Sequence, residues 1–101
     1  MYAVVGIWTV DPSRVEAQKH GLTNHVVPAV RGAAGFVRGF WSKSRENNRD
    51  YTYIVFDDET SARSFKASVE ASLQAQEAAG VRAEELHRAE ELHLVEVIAD
   101  A

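Results

Sequence analysis

The chain has 101 residues, a net charge of −4, no cysteine and an apolar fraction of 46%. This size fits a single domain over residues 1–101, and the apolar fraction excludes a disordered chain. The acidic balance argues against a general nucleic-acid or anionic-membrane surface, and the lack of cysteine excludes disulfides, thiolate metal sites and cysteine nucleophiles.

The first predicted element is a strand over Tyr2–Val10, which is rich in valine, isoleucine and aromatic residues and carries no charge. A continuous apolar run of this length is typical of a strand that is covered on both faces. The same stretch lacks the basic region and cleavage site of a signal peptide. Because no apolar run in the chain approaches the roughly 20 residues of a membrane span, we expect a cytoplasmic protein.

A helix follows, with two possible starts. Asp11 and Pro12 combine a capping side chain with a proline suited to the first helical position. Ser13 and Glu16 form an alternative capping-box pattern. The inward stripe predicted at helical spacing consists of Val15, Gln18, Leu22, His25 or Val26, and Ala29.

This helix contains a proline that no regular helix accommodates. Pro28 removes a backbone hydrogen bond and clashes with the preceding turn. We therefore expect a bent helix, or two pieces that meet near Asn24. Arg31 and Gly32 suit its last turn and its end.

The middle of the chain predicts a β-hairpin from strands over residues 35–43 and 51–56, joined by a turn at residues 46–49. Strict alternation divides the first of these strands into two sets of side chains. One set is Phe36, Arg38, Phe40 and Ser42, and the other is Val37, Gly39 and Trp41. The alternation leaves open which set faces the helices.

A second helix begins after the acidic residues 57–59, since carboxylates are favourable at a helix N-terminus. Ala62, Phe65, Val69 and Leu73 recur at helical spacing, and Gly80 is a plausible stop. The last strand is predicted over residues 92–99. Just before it, the hexapeptide 82–87 is repeated without change as 88–93, which we interpret as a local duplication without chemistry of its own.

The predicted order β-α-β-β-α-β indicates an α+β, ferredoxin-like fold with an antiparallel four-stranded sheet. Its helices cover one face of the sheet. The other face is still apolar, because the strands alternate apolar with apolar residues. A second copy of the chain is the simplest cover, so we predict a homodimer that forms a dimeric α/β barrel.

The segment 27–31 leading into Gly35 and Phe36, and the segment 53–59 leading into Ala62 and Phe65, resemble the dimeric α/β-barrel superfamily. This group includes antibiotic-biosynthesis monooxygenase-like proteins, haem-degrading monooxygenases and stress-responsive A/B-barrel proteins. The resemblance covers nearly the whole chain. It implies a dimer with two sheets face to face, and a small-molecule pocket between each sheet and its own helices. It does not specify an activity, because the superfamily mixes several chemistries.

Five residues are candidates for such a pocket. His25 lies on the predicted inward stripe and is the candidate for a catalytic acid, a catalytic base or a haem ligand. Its alternative role is that of a structural histidine held by hydrogen bonds. Asn24 is placed to bind a substrate carbonyl or to satisfy a backbone carbonyl freed by the proline. Trp41 and Tyr53 provide aromatic surface for a planar ligand, or belong to the core and the dimer interface.

Arg38, a lone charge in an apolar strand, is the fifth candidate, as a clamp for an acidic substrate. Its structural alternative is an ion pair with Glu96 or a position at the sheet rim, since burial without a partner is costly. His87 and His93 lie six residues apart, but their spacing does not define a metal site, and we predict none.

The function that follows is monooxygenase-like chemistry on a small aromatic or polyketide-like molecule, without a cofactor. Its mechanism is taken from the resemblance: His25 deprotonates an electron-rich phenol or enol, and the anion reacts with dioxygen. Two alternatives stay open, a non-enzymatic dimeric ligand-binding or stress-related module and a haem-binding protein. The first strand contains no asparagine, which argues against haem degradation.

Overall fold

A computed structural model describes residues 1–10, 12–78 and 87–101. Its strands form one antiparallel sheet in the order β2-β3-β1-β4, which confirms the predicted ferredoxin-like α+β fold. The elements are β1 (Tyr2–Val10), a 3-10 turn (Pro12–Arg14), α1 (Val15–Gly21), a π-helical segment (Leu22–Val26), α2 (Val27–Arg31), β2 (Phe36–Lys43), β3 (Arg49–Phe56), α3 (Glu59–Ala78) and β4 (His87–Glu96).

The strand bounds follow from pairing. β1 has its predicted bounds, β2 begins one residue later than predicted and β3 begins two residues earlier. The prediction for the last strand was wrong at both ends, because β4 pairs with β1 from the pair Val10–His87 to the pair Tyr2–Glu96. Beyond Glu96 the edge strand has no further partner except one bond, from the amide of Val97 to the carbonyl oxygen of Met1 at 2.9 Å.

Val4 and Ile54 share a core cluster with Val30 of α2 and Ala62 of α3, so their side of the sheet faces the helices. We call this side the helix face, and the opposite side the open face. Phe56 is fully buried at the centre of the cluster. Its ring meets Phe65 with centroids 5.1 Å apart, and meets Phe36 edge-on at 6.4 Å. Such aromatic pairs add about 0.5–1.5 kcal/mol beyond area burial.

A bulge in β2 decides which side chains reach each face. Phe36 pairs with Phe56, whereas Arg38 already pairs with Val55, so Val37 is an extra residue in β2. The predicted set of Phe36, Arg38, Phe40 and Ser42 is therefore split, and placing Phe36 with the others was wrong. Phe36 joins the core on the helix face, while the other three lie on the open face.

The first helix is broken where the sequence predicted, around Asn24. The amide of Val27 donates to the carbonyl oxygen of Leu22, five residues back, which is the π-helical bond. The extra residue rotates the packed stripe, so half-buried Leu22 is followed by half-buried Val27 and then by buried Val30. Placing His25 and Ala29 on the inward stripe was therefore wrong, and both are exposed.

Several predictions from the sequence fall outside the described residues, namely those on Asp11, on Gly80 and on residues 82–86 of the first hexapeptide copy. The second copy lies within β4. In the part of the chain that the structure describes, no helix is both long and apolar enough to span a membrane.

Gly35, between α2 and β2, provides a direct test of this packing. Its φ of +76° is unfavourable for other residues, and an added Cβ would lie 2.5 Å from Ser61 Oγ at the start of α3. We expect Gly35→Ala to lower the free energy of unfolding by about 1–3 kcal/mol, measured by urea denaturation. Gly21→Ala is the matched control, because no atom lies within 4 Å of its added Cβ. An equal effect of the two substitutions would contradict the packing described for Gly35.

Candidate functional site

Two tryptophans lie over two glycines on the helix face. A Cβ added to Gly6 would lie 2.6 Å from Trp8 Nε1, and one added to Gly39 would lie 3.1 Å from Trp41 Cη2. In both strands the tryptophan follows the glycine by two residues, so these two residues lie on the same face of the sheet. Each indole therefore lies back along its own strand, over backbone that carries no side chain.

Thr52 lies between these two indoles. It pairs with Gly6 of β1 on one side and with Trp41 of β2 on the other. Its Oγ1 accepts a hydrogen bond of 3.1 Å from Trp8 Nε1. We call the surface formed by Gly6, Trp8, Gly39, Trp41 and Thr52 the indole patch. It combines broad aromatic area with one hydroxyl, and both indoles and the threonine are half-buried.

The indole patch borders the core cluster, because Trp41 packs against it and Gly39 pairs with Ile54. The core cluster contains Val30 of α2 and Ala62 of α3, and it is flanked by Phe65 of α3 and by Ala33 in the loop after α2. None of the described side chains of α1 or of the π-helical segment is buried, and none belongs to that cluster. Among the described residues, the first helix therefore contributes a buried side chain to the core only at Val30 of α2.

Two predicted site residues lie in the π-helical segment. Asn24 Nδ2 donates to the carbonyl oxygen of His20 at 2.8 Å and lies 3.2 Å from His20 Nδ1. The Asn24 amide therefore has a structural use, but the carbonyl that it satisfies is that of His20 and not the one freed by Pro28 that the sequence suggested. His25 is exposed and has no hydrogen-bond partner within the described residues.

The other three predicted residues are divided between the two faces. Trp41 belongs to the indole patch, whereas Arg38 and Tyr53 lie on the open face in register with Val55 and Phe40. The structure therefore does not bring the five candidates to one site. The predicted pair of Arg38 with Glu96 is wrong, because these residues belong to opposite edges of the sheet and Glu96 lies in the Tyr2 row of the helix face.

Sequence reasoning did not assign Gly6, Gly39 or Thr52 to a site. A signal for the glycines is present, since Gly6-Ile7-Trp8 in β1 has the same form as Gly39-Phe40-Trp41 in β2. A glycine two positions before a tryptophan in a strand leaves room for the indole on the same face. Thr52 carries no such signal, because its place between the indoles depends on strand pairing.

The described residues contain no group of three or more His, Asp or Glu side chains arranged to hold a metal ion. His93 of β4 makes one exposed contact, with its Nε2 3.3 Å from Glu91 Oε1. The side chain of His87 lies outside the described part of the structure, so the spacing of the two histidines is not tested.

No protein-family model and no curated protein sequence matches the chain. Several solved structures do match the chain. HapK from Hahella chejuensis is similar with a TM-score of 0.71 and 11% identity, covering 100% of this chain and 96% of that chain. The haem degrader MhuD from Mycobacterium tuberculosis, solved with two haems in its active site, has a TM-score of 0.69 and 17% identity over 100% and 99% of the chains.

A third similar structure is the monooxygenase ActVA-Orf6 of Streptomyces coelicolor in complex with the ligand nanaomycin D. Its TM-score is 0.66 and its identity 16%, over 99% of this chain and 89% of that chain. At these identities the likeness establishes the fold. The predicted resemblance to antibiotic-biosynthesis monooxygenase-like proteins is thereby confirmed at the level of fold.

The hydrogen bond within the indole patch predicts a measurable effect. Thr52→Val keeps the shape of the side chain but removes the acceptor of Trp8 Nε1. We expect a loss of about 0.5–1.5 kcal/mol in the free energy of unfolding, together with a changed near-ultraviolet circular dichroism of the indoles. Thr52→Ser retains a hydroxyl and should preserve the spectrum. A Thr52→Val spectrum identical to that of the unsubstituted chain would contradict this geometry.

Proposed function

We propose that the chain is a cofactor-independent, monooxygenase-like enzyme that binds a small planar aromatic or polyketide-like molecule on the indole patch. The observation that carries the proposal is the pair of indoles lying over Gly6 and Gly39 with the Thr52 hydroxyl between them. Aromatic surface of this kind binds planar ligands by stacking and area burial, and a single hydroxyl fixes their orientation. The similarity to a monooxygenase solved with nanaomycin D supports the same ligand class.

The proposed reaction converts a methylene group between two aryl rings into a carbonyl. A base removes one proton, and the resulting carbanion, conjugated with the rings, transfers electrons to dioxygen. One oxygen atom enters the product as the carbonyl, the other leaves as water with the two methylene hydrogens, and no further reductant is needed. This chemistry requires a base and an apolar surface that holds the delocalised anion.

The residues of the chain divide these roles. His25 is the proposed base, because it is an exposed imidazole without a hydrogen-bond partner among the described residues. Trp41 stacks on the substrate, and the Thr52 hydroxyl donates to a substrate oxygen while it accepts from Trp8. Tyr53 has no role here, since it lies on the open face. The Asn24 side-chain oxygen is left for a substrate, because its amide nitrogen is bonded to His20.

Turnover of a three-ring anthrone tests this function. With ¹⁸O₂ we expect one labelled oxygen per product and one dioxygen consumed. His25→Gln should lower kcat by about 10²–10⁴-fold, the usual contribution of a general base. Trp41→Ala should raise KM about tenfold, and Trp41→Phe should restore most of the affinity because it keeps a ring. His93→Gln is the matched control for His25, because His93 is an exposed histidine on β4, away from the π-helical segment. Turnover that is unchanged in His25→Gln would exclude His25 as the base.

Haem binding is a second candidate, favoured by the similarity over the whole chain to MhuD solved with two haems. A haem macrocycle is planar and would bind to the same aromatic surface. His25 would supply the imidazole that ligates its iron. Titration with hemin separates the two functions in the same assay. A Soret shift that is lost in His25→Gln, without oxidation of the anthrone, would replace the monooxygenase proposal with this one. Anthrone binding without turnover or a Soret shift would identify a non-enzymatic binding module.

We also propose that the protein is a homodimer assembled through the open face. Phe40 is 59% exposed there, and Tyr51 and Tyr53 are each 37% exposed. Neighbouring apolar side chains of this size on one sheet face are typical of a surface that is covered in the functional assembly. The cytoplasmic location expected from the sequence stays a prediction.

Light scattering after size exclusion measures this assembly directly. We expect twice the 11.2 kDa mass of the chain, and a shift to the monomer mass for Phe40→Asp, which would bury a charge in the interface. Val26→Asp, on the exposed surface of the π-helical segment, is the control and should leave the dimer intact. A mass near 11.2 kDa for the unsubstituted chain would refute the dimer.

A further inference from the structure

The residues that follow β4 cross one end of the open face. Val97, Ala99 and Asp100 line a hollow together with Arg38 and Phe40, although β2 and β4 are the opposite edges of the sheet. The bond from the amide of Val97 to the carbonyl oxygen of Met1 starts this crossing. The chain therefore leaves the β4 edge and passes towards β2.

The hollow is too small for an ordinary small-molecule site. Its volume is about 150 Å³, whereas ligand pockets begin at about 300 Å³. It is open to solvent and bordered by apolar side chains, including Met1, which is 42% exposed, and Phe40. These features suit a shallow recess in a protein interface better than a binding cavity.

Two opposite charges line this recess and do not pair within the chain. Arg38 and Asp100 both border it, yet neither forms an ion pair or a side-chain hydrogen bond in the described part of the structure. Any apolar surface that covers Phe40 would also take water from the neighbouring guanidinium, which is unfavourable unless an acid is supplied. A cover that brings a carboxylate to Arg38 and a cation to Asp100 is therefore favoured.

A second copy of the chain meets both requirements. In a two-fold dimer, if residue i contacts residue j of the partner, then residue j contacts residue i of the partner. We propose that Arg38 pairs with Asp100 of the partner subunit, so that two identical ion pairs flank the apolar centre of the open-face dimer. This inference rests on the proposed dimer and names the contact that sets its register.

Charge reversal in two separate chains tests the pairing. Arg38→Glu alone and Asp100→Arg alone each create two like-charge pairs per dimer, and each should weaken dimerisation about 100-fold. Mixing the two variants should restore the dimer, because every pair across the interface then joins opposite charges. Arg63→Glu on α3 makes the same charge change at an exposed i, i+4 pair with Glu59 and should leave dimerisation unchanged. Circular dichroism verifies that all the variants are folded.

The outcomes separate this inference from the dimer itself. A monomeric unsubstituted chain would overturn both. A stable unsubstituted dimer that neither reversal weakens would overturn the pairing alone. If the mixed variants stay monomeric while the doubly substituted chain dimerises, Arg38 and Asp100 pair within one chain, and the proposal is wrong.

Discussion

The single extra residue at Val37 controls the distribution of side chains on which the rest of the structure depends. Side chains alternate across a strand, so a shift of one residue sends every later side chain to the opposite face. Because of the bulge, Phe36 packs on Phe56 in the core while Trp41, five residues later, also lies on the helix face. With regular alternation, Phe36 and Trp41 would lie on opposite faces of the sheet. The bulge thus joins the aromatic core and the indole patch on one side of the sheet, and leaves Arg38 and Phe40 on the other.

Both faces of the sheet are apolar, but they are covered by different means. The helix face is closed by α2 and α3 around Phe56, where the buried side chains give stability. At Gly6 and Gly39 the same face replaces side-chain volume with indole rings, which gives breadth without filling the space above them. In the described part of the chain, the open face is crossed at one end by the residues after β4 and has no helical cover. Under the proposed function, the helix face combines core and ligand surface, whereas the open face is the proposed dimer interface, so that a ligand and a partner subunit would occupy different faces.

Most of the fold could be predicted from the sequence, because it depends on local patterns. The charge-free run at Tyr2–Val10, the turn residues of the hairpin and the stripe of α3 each act within a few neighbouring residues. The errors concern features that depend on distant parts of the chain. The bounds of β4 are set by the extent of β1, and the bulge is visible only in the pairing of β2 with β3.

The site was harder to predict for the same reason. The position of His25 depends on one extra residue in a helical turn, and Pro28 revealed the break but not its direction. The role of Thr52 depends on strand pairing, which composition does not reveal. The repeated pattern of glycine, any residue and tryptophan was available in the sequence, because the steric relation between positions i and i+2 of a strand is local, but it was not assigned to the site.

The indoles also constrain what kind of ligand the helix face can take. A tryptophan that stands upright on a sheet divides the space above it into separate slots, whereas one that lies over a glycine forms part of a continuous floor. Trp8 and Trp41 both lie over glycines, and Thr52 is the polar group between them. A flat ligand on such a floor would stack parallel to the sheet. The π-helical segment takes His25 off the packed stripe and leaves its imidazole without a partner among the described residues. Single π-helical turns inside helices are frequent at functional sites, which agrees with the proposed role of His25.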